Sequence, residues 1–373
     1  MIESGHDMIQ IMAITRKIKK GTPNEAVMKK VLLKQGLIIT CIVFALISFS
    51  TSALCRTLKH IVLIETMPVP AVLLHSKTFQ SELKKLGYEE GLNFRLTILK
   101  PNGDRSLAEK MLRDLIASNK PDLVATVATL ASQTAAKLLK NTKIPILFFL
   151  VSDPVGSGII EKMGVATGTN ITGRVNTVSR EAKIKIAMQL VSQIAKTKPV
   201  KFGFIYSSYP SSVGDYQKLM QISQNRNDLV FVPQLIAYQK VPDGIPDMIR
   251  DTKKAISILA KEIDFWWEPQ GPLGEVEEYT RTLIKHSTKP IIIGQTAASV
   301  KRGALMHISP NFISSGKEVA MIAHEILEGK DPGKIPVVPP SDFTLGINLT
   351  TAIQLRIVIP PEIMELAGKN IYR

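Results

Sequence analysis

The stretch LVATVATLASQTAAKLLKNTKIPILFFLV, residues 123–151, contains the pattern that decides the fold. It begins with a short apolar run at 123–128, continues with a helical pattern at 130–139 and returns to an apolar run at 144–151. A strand, a helix and a second strand in this order are typical of a βαβ unit, in which the two strands are parallel. The stretch therefore predicts a parallel sheet that is covered by helices.

The same alternation extends along the chain in both directions. Before the stretch, strands are predicted at 60–65 and 93–99, each followed by a helix, and Ser106 is the predicted cap of the helix at 107–118. After residue 173 a second series of helices and strands begins, so the pattern predicts an α/β fold with two doubly wound lobes. Its predicted elements are helices at 180–194, 213–224, 245–261, 275–286, 315–328 and 361–367, and strands at 201–206, 229–236, 264–267 and 290–294.

Composition and charge narrow the classes of function. The chain has 373 residues, of which 45% are hydrophobic and 21% charged, so it is ordinary globular material long enough for two lobes. Lysine and arginine number 47 against 32 aspartates and glutamates, which gives a net charge of +15. The basic residues are scattered and form no stripe interleaved with aromatic side chains, so we expect a soluble basic surface and no nucleic-acid partner.

The sequence lacks the motifs that hold cofactors or metals. No Gly-x-x-x-x-Gly-Lys-Ser/Thr loop and no Gly-x-Ser-x-Gly elbow occurs, and the glycine motif at 156–158 has Glu161 where a dinucleotide fingerprint needs glycine. The six histidines are isolated, and two cysteines, Cys41 and Cys55, cannot build a disulfide framework or a zinc site. We therefore expect no cofactor, no metal and no catalytic residue.

Residues 28–53 have the pattern of an export signal. Three lysines precede an apolar run at 36–47, and small or polar residues follow it up to Ala53. This is the three-part order of a secretory signal peptide, and the run is shorter than the roughly 20 residues of a membrane-spanning helix. We expect a protein that is exported to the periplasm.

The limits of this N-terminal region are also predicted. The signal is complete from Met28, so we expect translation to begin there, with residues 1–53 forming an extension and a signal peptide. Cleavage after small residues would make the mature chain begin near Leu54. Two alternatives remain: an uncleaved membrane anchor, and a lipid anchor on Cys55, whose neighbour Leu54 is larger than lipidation favours.

Polar side chains follow the predicted strands at their carboxyl ends, which is where open α/β sheets bind ligands. A turn or a helix cap explains each of them equally well when it is considered alone. Since all of them point to one cleft between the lobes, we favour a ligand-binding site there. These candidates are Thr129, Ser152, Asp153, Ser207, Glu268 and Gln295.

The only two tryptophans of the chain are adjacent, at Trp266 and Trp267. Neighbouring residues in a strand point to opposite faces, so we expect at most one of them to lie in the core. We predict that Trp267 faces the cleft.

Several segments resemble the ABC transporter substrate-binding proteins of the type 1 periplasmic binding fold, in the group that includes binding proteins for tryptophan and other aromatic amino acids. The more specific similarity is the Asp-Pro-Val of IPILFFLVSDPVGSGII at 144–160, followed by the Asn-Ile-Thr-Gly of TNITG at 169–173. The resemblance covers nearly the whole exported chain. The other similar segments are 79–94, 120–137, 303–337 and 347–367.

The resemblance implies two lobes joined by a hinge. Residues 54–173 and 309–373 would form the first lobe and residues 174–308 the second, with the chain crossing between them near 173–179 and 305–311. It also implies a small-molecule ligand and an ABC permease in the membrane as the partners.

Two further ligand contacts follow from the resemblance, Thr172 and Asn176. Thr172 belongs to the TNITG segment, and Asn176 closes the Arg174-Val175-Asn176 that stands where the family often has Ser-Asp. In the same place this chain has Arg174, a cation that would favour a more acidic ligand at the cleft entrance.

The expected function is the capture of a small ligand, an amino acid and possibly an aromatic one, by closure of the two lobes, followed by delivery to the permease. Asp153 would bind the ammonium of the ligand. Thr129, Ser152 and N–H groups at helix N-termini would hold its carboxylate. The alternatives are a ligand-sensing module for a membrane receptor and a secreted α/β enzyme, and the isolated histidines give the enzyme no support.

Overall fold

A computed structural model describes residues 58–140 and 142–373, and their strands assemble into two sheets of five and seven strands. Each sheet has helices on both faces, as the alternation of strands and helices predicts. The predicted signal peptide lies outside the described residues. The α/β class with two parallel-sheet lobes is confirmed.

The first sheet is wholly parallel and has the strand order β2-β1-β3-β4-β5. Alternate residues of β1 belong to different hydrophobic clusters, because neighbours in a strand point to opposite faces. Ile61 and Leu63 pack with α1, whereas Val62 and Ile64 pack with α2 and α3. The elements are β1 (Lys59–Glu65), α1 (Pro70–Lys85), β2 (Phe94–Leu99), α2 (Arg105–Ser118), β3 (Leu123–Val127), α3 (Thr129–Leu139), β4 (Ile146–Val151) and β5 (Ile171–Val175).

The second sheet has the order β12-β11-β10-β9-β8-β6-β7 and is parallel except for the pair β10–β11. Its first elements follow β5 along the chain. They are α4 (Arg180–Val191), β6 (Val200–Ser207), α5 (Pro210–Ser223), β7 (Leu229–Ile236), α6 (Ile245–Leu259), β8 (Phe265–Trp267), α7 (Pro272–Glu275), α8 (Glu277–His286), β9 (Ile291–Ile293), α9 (Ala297–Arg302) and β10 (Met306–Pro310).

The remainder of the chain divides between the two lobes. The first of its helices packs on α1 and on strands of the first sheet, and Val338 pairs with Arg174 beside β5. The chain then returns to the second sheet, where a strand pairs with the edge of β10. These elements are α10 (Phe312–Leu327), β11 (Phe343–Asn348), α11 (Leu349–Leu355), α12 (Pro361–Ala367) and β12 (Ile371–Tyr372).

This division differs from the expected lobe boundary, which placed all of 309–373 in the first lobe. The residues from 343 onward extend the second sheet, because the backbone N–H and C=O groups along the edge of β10 need partners. The chain therefore crosses between the lobes three times, at residues 176–179, at Asn311 and at 339–342.

The glycine of the TNITG segment, Gly173, lies where two strands approach each other closely. It lies in β5 beside β4, and a Cβ at this position would come within 2.2 Å of the Phe148 carbonyl oxygen. Any larger residue would force the two strands apart, so glycine is required by close backbone approach.

The N-terminus of α2 differs from its prediction. Asp104 is the cap, since its carboxylate accepts hydrogen bonds from the N–H groups of Ser106 (2.8 Å) and Leu107 (3.2 Å). Ser106, the predicted cap, is instead in the first turn of the helix. Both residue types favour the position, and the turn that precedes the helix decides between them.

Candidate ligand-binding site

A cleft lies between the carboxyl ends of strands from both sheets and consists of two chambers. The main chamber is a cavity of about 60 Å³, and the hinge chamber, of about 20 Å³, lies against the crossing segments. Both are lined by Ala71, Leu150, Asn176, Gln270, Glu275 and Gln295. The main chamber is also lined by Met67, Val69, Val72, Ala128, Thr129, Ser152, Tyr209, Ser211, Gly271 and Pro272. The hinge chamber is also lined by Thr177, Lys183, Ile308, Ser309, Pro310 and Phe312.

Two turns with unusual backbone angles shape the wall that the first lobe contributes. Ala128 and Leu150 have φ values of 74° and 57°, in the left-handed region that side chains with a Cβ avoid. Both lie at the ends of strands and line the main chamber. Such strain is retained where the surrounding structure imposes it, and here it places Thr129 at the start of α3 against the cleft.

Three polar atoms of the cleft are buried and have no hydrogen-bond partner in the described part of the chain: Ser152 Oγ, Asn176 Oδ1 and Gln270 Oε1. The other groups of Gln270 are used, because its N–H donates to Asp215 Oδ2 (3.1 Å) and its Nε2 donates to Thr177 Oγ1 (3.0 Å). These bonds hold the Gln270 side chain at the cleft. Unsatisfied buried polar atoms are costly, so all three atoms are available to a polar ligand.

An acidic pair lies on the second-lobe side of the cleft. Glu275 is partly buried, lines both chambers and accepts a hydrogen bond from Gln295 Nε2 (3.4 Å). Removal from water, opposed by Gln295 and reinforced by Glu268, raises the pKa of Glu275 to about 7. Behind it, Glu268 is buried and accepts hydrogen bonds from the Gln295 N–H (2.8 Å) and the Thr280 hydroxyl (2.7 Å).

Two cations lie at the start of α4, on the hinge side. Arg180 Nε donates to Asp215 Oδ1 (2.7 Å), and both side chains are buried. Lys183 lines the hinge chamber with only 7% of its surface exposed. Burial lowers the pKa of Lys183 to about 8, with Asp215 raising it and Arg180 lowering it further. The amine therefore remains mostly protonated at pH 7.

The two lobes touch at the rim of the cleft. The hydroxyl of Tyr209 accepts a hydrogen bond from the Leu130 N–H (3.4 Å), and Lys240 forms an ion pair with Asp104. Tyr238 lies over Gly103 so closely that a Cβ there would clash with its hydroxyl. These contacts join the two lobes on either side of the cleft.

Four of the residues proposed from the sequence line the cleft: Thr129, Ser152, Asn176 and Gln295. They come from both lobes and from the first crossing segment. The principle that ligands bind at the carboxyl ends of strands therefore predicted the edge of each sheet at which the cleft lies.

Asp153, Thr172 and Arg174 make other contacts instead. Asp153 Oδ1 accepts a hydrogen bond from the Gly156 N–H (2.9 Å) and so caps a turn, and it is not among the lining residues. The hydroxyl of Thr172 donates to the Ile335 carbonyl (2.9 Å). Arg174 is paired with Glu318 (2.7 Å), so it places no free cation at the cleft entrance.

Ser207, Trp267 and Glu268 lie behind the cleft wall and are buried. Trp267 packs edge-on against Phe202 and Phe231 in the core of the second lobe, and does not line the cleft. Trp266 is also buried, on the other face of the sheet. Both tryptophans are core residues because helices cover both faces of a parallel sheet.

Sequence reasoning missed most of the apolar lining and the charged residues Glu275 and Lys183. Residues 67–72 could have been predicted to line the cleft, because they follow β1 and so stand at the end of a strand, as the chosen candidates do. Tyr209 and Gln270 stand two residues after the candidates Ser207 and Glu268, so the same strand ends could have indicated them. Lys183 carried no signal, since it lies inside a helix and only the packing of α4 brings it to the cleft.

No helix within residues 58–140 and 142–373 is both long and apolar enough to span a membrane. Within the same residues, no group of three His, Cys, Asp or Glu side chains is arranged to hold a metal ion.

Comparison with known proteins agrees with this two-lobed site. The family model for ABC transporter substrate-binding proteins matches residues 60–371. A tyrosine-binding protein of Clostridioides difficile is 26% identical over 314 residues, 84% of each chain.

Two solved structures share the fold. A conserved domain protein from Vibrio cholerae has 23% identity and a TM-score of 0.68, over 84% of this chain and 99% of that chain. An ABC domain from Streptococcus pneumoniae in complex with L-Trp has 22% identity and a TM-score of 0.66, over 85% of this chain and 100% of that one. Since the family model spans most of the chain, the protein belongs to the ABC transporter substrate-binding proteins, which bind a small ligand and are not enzymes.

Proposed function

We propose that the protein captures an amino acid between its lobes and delivers it to the permease of an ABC importer. The observation that carries this proposal is the cleft, which combines an apolar main chamber with an acid, Glu275, and three unsatisfied polar atoms. An amino acid needs both kinds of surface, because its side chain is buried while its charged groups require partners.

The walls of the main chamber favour an apolar or aromatic side chain. Met67, Val69, Val72, Tyr209 and Pro272 line it. Burial of an aromatic ring of roughly 150–250 Å² contributes on the order of 4–6 kcal/mol before the cost of association. The relatives named for tyrosine and L-Trp support the same ligand class.

We propose Glu275, and not Asp153, as the partner of the ligand ammonium. The Asp153 carboxylate accepts a hydrogen bond within its own turn, whereas Glu275 borders both chambers. A ligand ammonium beside Glu275 would favour its ionised form, since an opposite charge lowers the pKa of a carboxylic acid.

Export to the periplasm is part of the proposal. Substrate-binding proteins of ABC transporters are typically extracytoplasmic, and the charged, apolar and small-residue order of 28–53 supports a cleaved signal. N-terminal sequencing of the mature protein should find a chain that begins near Leu54, and a mature chain that retains residues 28–53 would contradict cleavage.

Isothermal titration calorimetry against the twenty amino acids tests the ligand class. We expect a Kd in the micromolar range, about −8 kcal/mol, for at least one apolar or aromatic amino acid. Absence of heat, and of any rise in melting temperature, for all twenty would overturn the amino-acid assignment. For a ligand that binds, uptake should be lost when the gene is deleted and should return with the wild-type gene.

A further inference from the structure

The hinge chamber contains a buried cation whose charge is not neutralised. The Lys183 amine has no hydrogen bond and no ion pair within the described residues. Only 7% of the surface of Lys183 is exposed, and the residue lines the hinge chamber. An ammonium without a partner on a side chain this deeply buried opposes folding, so its presence calls for an explanation.

The acid near Lys183, Asp215, already accepts hydrogen bonds from two other residues. Asp215 accepts from Arg180 Nε through one oxygen (2.7 Å) and from the Gln270 N–H through the other (3.1 Å). One carboxylate therefore serves two buried cations, Arg180 and Lys183, and one positive charge is left over. Arg180 Nη2 is itself buried without a partner among the described residues.

Among the described residues, Asp215 is the only acid whose charge acts on Lys183. His307 lies close enough for the lysine charge to act on it, and burial together with Lys183 lowers the pKa of His307 to about 4, so the imidazole is neutral at pH 7. Lys183 also lies in the first turn of α4, at the positive end of the helix dipole, where a cation is disfavoured. Both facts increase the need for an anion.

Glu275 borders the same chamber but does not neutralise the lysine, because the two side chains form no ion pair within the described residues. A small polar chamber with one acid and one amine on its wall suits a zwitterion. The more apolar main chamber opens beside it and shares six lining residues with it.

Resting on the proposed function, we infer that the hinge chamber holds the head group of the amino acid, with its carboxylate on Lys183 and its ammonium on Glu275. The ligand side chain then extends into the main chamber. The carboxylate is thus held by the second lobe, beside the hinge, and not by Thr129, Ser152 and the start of α3. At that start, the Leu130 N–H already donates to Tyr209.

The consequence is strong discrimination against ligands that lack a carboxylate. An amine such as tyramine or tryptamine retains the ring and the ammonium but leaves Lys183 buried and unpaired. A charge-assisted hydrogen bond to a buried group makes a difference on the order of tenfold to a hundredfold in Kd.

The test is a cycle of two ligands and two proteins, measured by calorimetry. L-Tyrosine and L-tryptophan are titrated beside tyramine and tryptamine into wild-type protein and into Lys183→Met. Wild-type protein should prefer the amino acid over its amine by at least about tenfold. In Lys183→Met that ratio should fall close to one, with the Kd of the amine unchanged. Lys185→Met is the matched control, since Lys185 is exposed on the same helix.

A second measurement separates recognition from support of the fold. Removing an unpaired buried charge should raise the melting temperature of ligand-free Lys183→Met, while its affinity for the amino acid falls. A variant that only disturbs the fold would lower both.

The outcomes distinguish this inference from the proposed function. An unchanged amino-acid-to-amine ratio in Lys183→Met, with wild-type binding intact, overturns the role of Lys183 alone. If wild-type protein binds neither L-tyrosine nor L-tryptophan, the cycle is repeated with two other ligands. These are whichever of the twenty amino acids binds with the lowest Kd and the amine that results from its decarboxylation. If none of the twenty binds, the proposed function fails and this inference fails with it.

Discussion

At the residue scale, the proposed role of Glu275 in binding opposes its contribution to stability. Its pKa is raised from 4.5 to about 7 by removal from water, so the folded state holds a proton that the unfolded state has lost between these values. The ligand-free protein should therefore lose stability as the pH rises from about 4.5 through 7. The cost at pH 8 is up to about 3 kcal/mol, and less where water in the cleft solvates the carboxylate.

Glu275→Gln removes the ionisation and should raise the melting temperature of the ligand-free protein at pH 8. It should have little effect at pH 4.5, where the glutamate is protonated, and it should weaken binding of an amine-bearing ligand. Glu278→Gln, at an exposed position of α8, is the control. Equal melting temperatures of wild type and Glu275→Gln at pH 8 would contradict the raised pKa.

At the scale of a single element, the cap of α2 joins helix stability to the contact between the lobes. Asp104 caps the helix with one oxygen and pairs with Lys240 of the second lobe through the other. Asp104→Ala should lower the free energy of unfolding by about 1 kcal/mol, because a capping side chain is lost. Asp104→Asn keeps a good cap and loses only an exposed ion pair, so its effect should be smaller.

The free energy of unfolding in urea is measured for Asp104→Ala and Asp104→Asn, and Ser106→Ala is the third variant of this comparison. Ser106 is exposed in the first turn, so its replacement should change stability by only a few tenths of a kcal/mol. A loss for Ser106→Ala as large as that for Asp104→Ala would show that the serine supports the helix start after all.

At the scale of the whole molecule, Tyr209 connects the lobes. It is buried in a cluster with residues of both, and its hydroxyl meets the start of α3. Tyr209→Ala should shift the ligand-free protein toward an open form and increase its radius of gyration in X-ray scattering, because the apolar contact that favours closure is lost.

Tyr209→Phe keeps the ring and removes only a long hydrogen bond of 3.4 Å, so its scattering should match that of the wild type. Scattering from Tyr209→Ala that superimposes on the wild type would show that this contact does not hold the lobes together in solution. The Kd of any ligand should rise in parallel with the open fraction.

The sequence by itself determined the alternation of strands and helices, the two lobes and the edge of each sheet where the cleft lies. These follow from local information, because hydrophobic periodicity and strand ends are visible in short segments. Thr129, Ser152, Asn176 and Gln295 were found in this way or by resemblance, and they line the cleft.

Only the tertiary structure decided which side chains face the cleft. Trp267 lies in the core because the parallel sheet is covered on both faces, and β11 belongs to the second lobe because the edge of β10 needs a partner. Lys183 reaches the hinge chamber from inside a helix, where no local pattern marks it. The physical reason is that burial and pairing arise from contacts between residues far apart in the chain, which periodicity does not report.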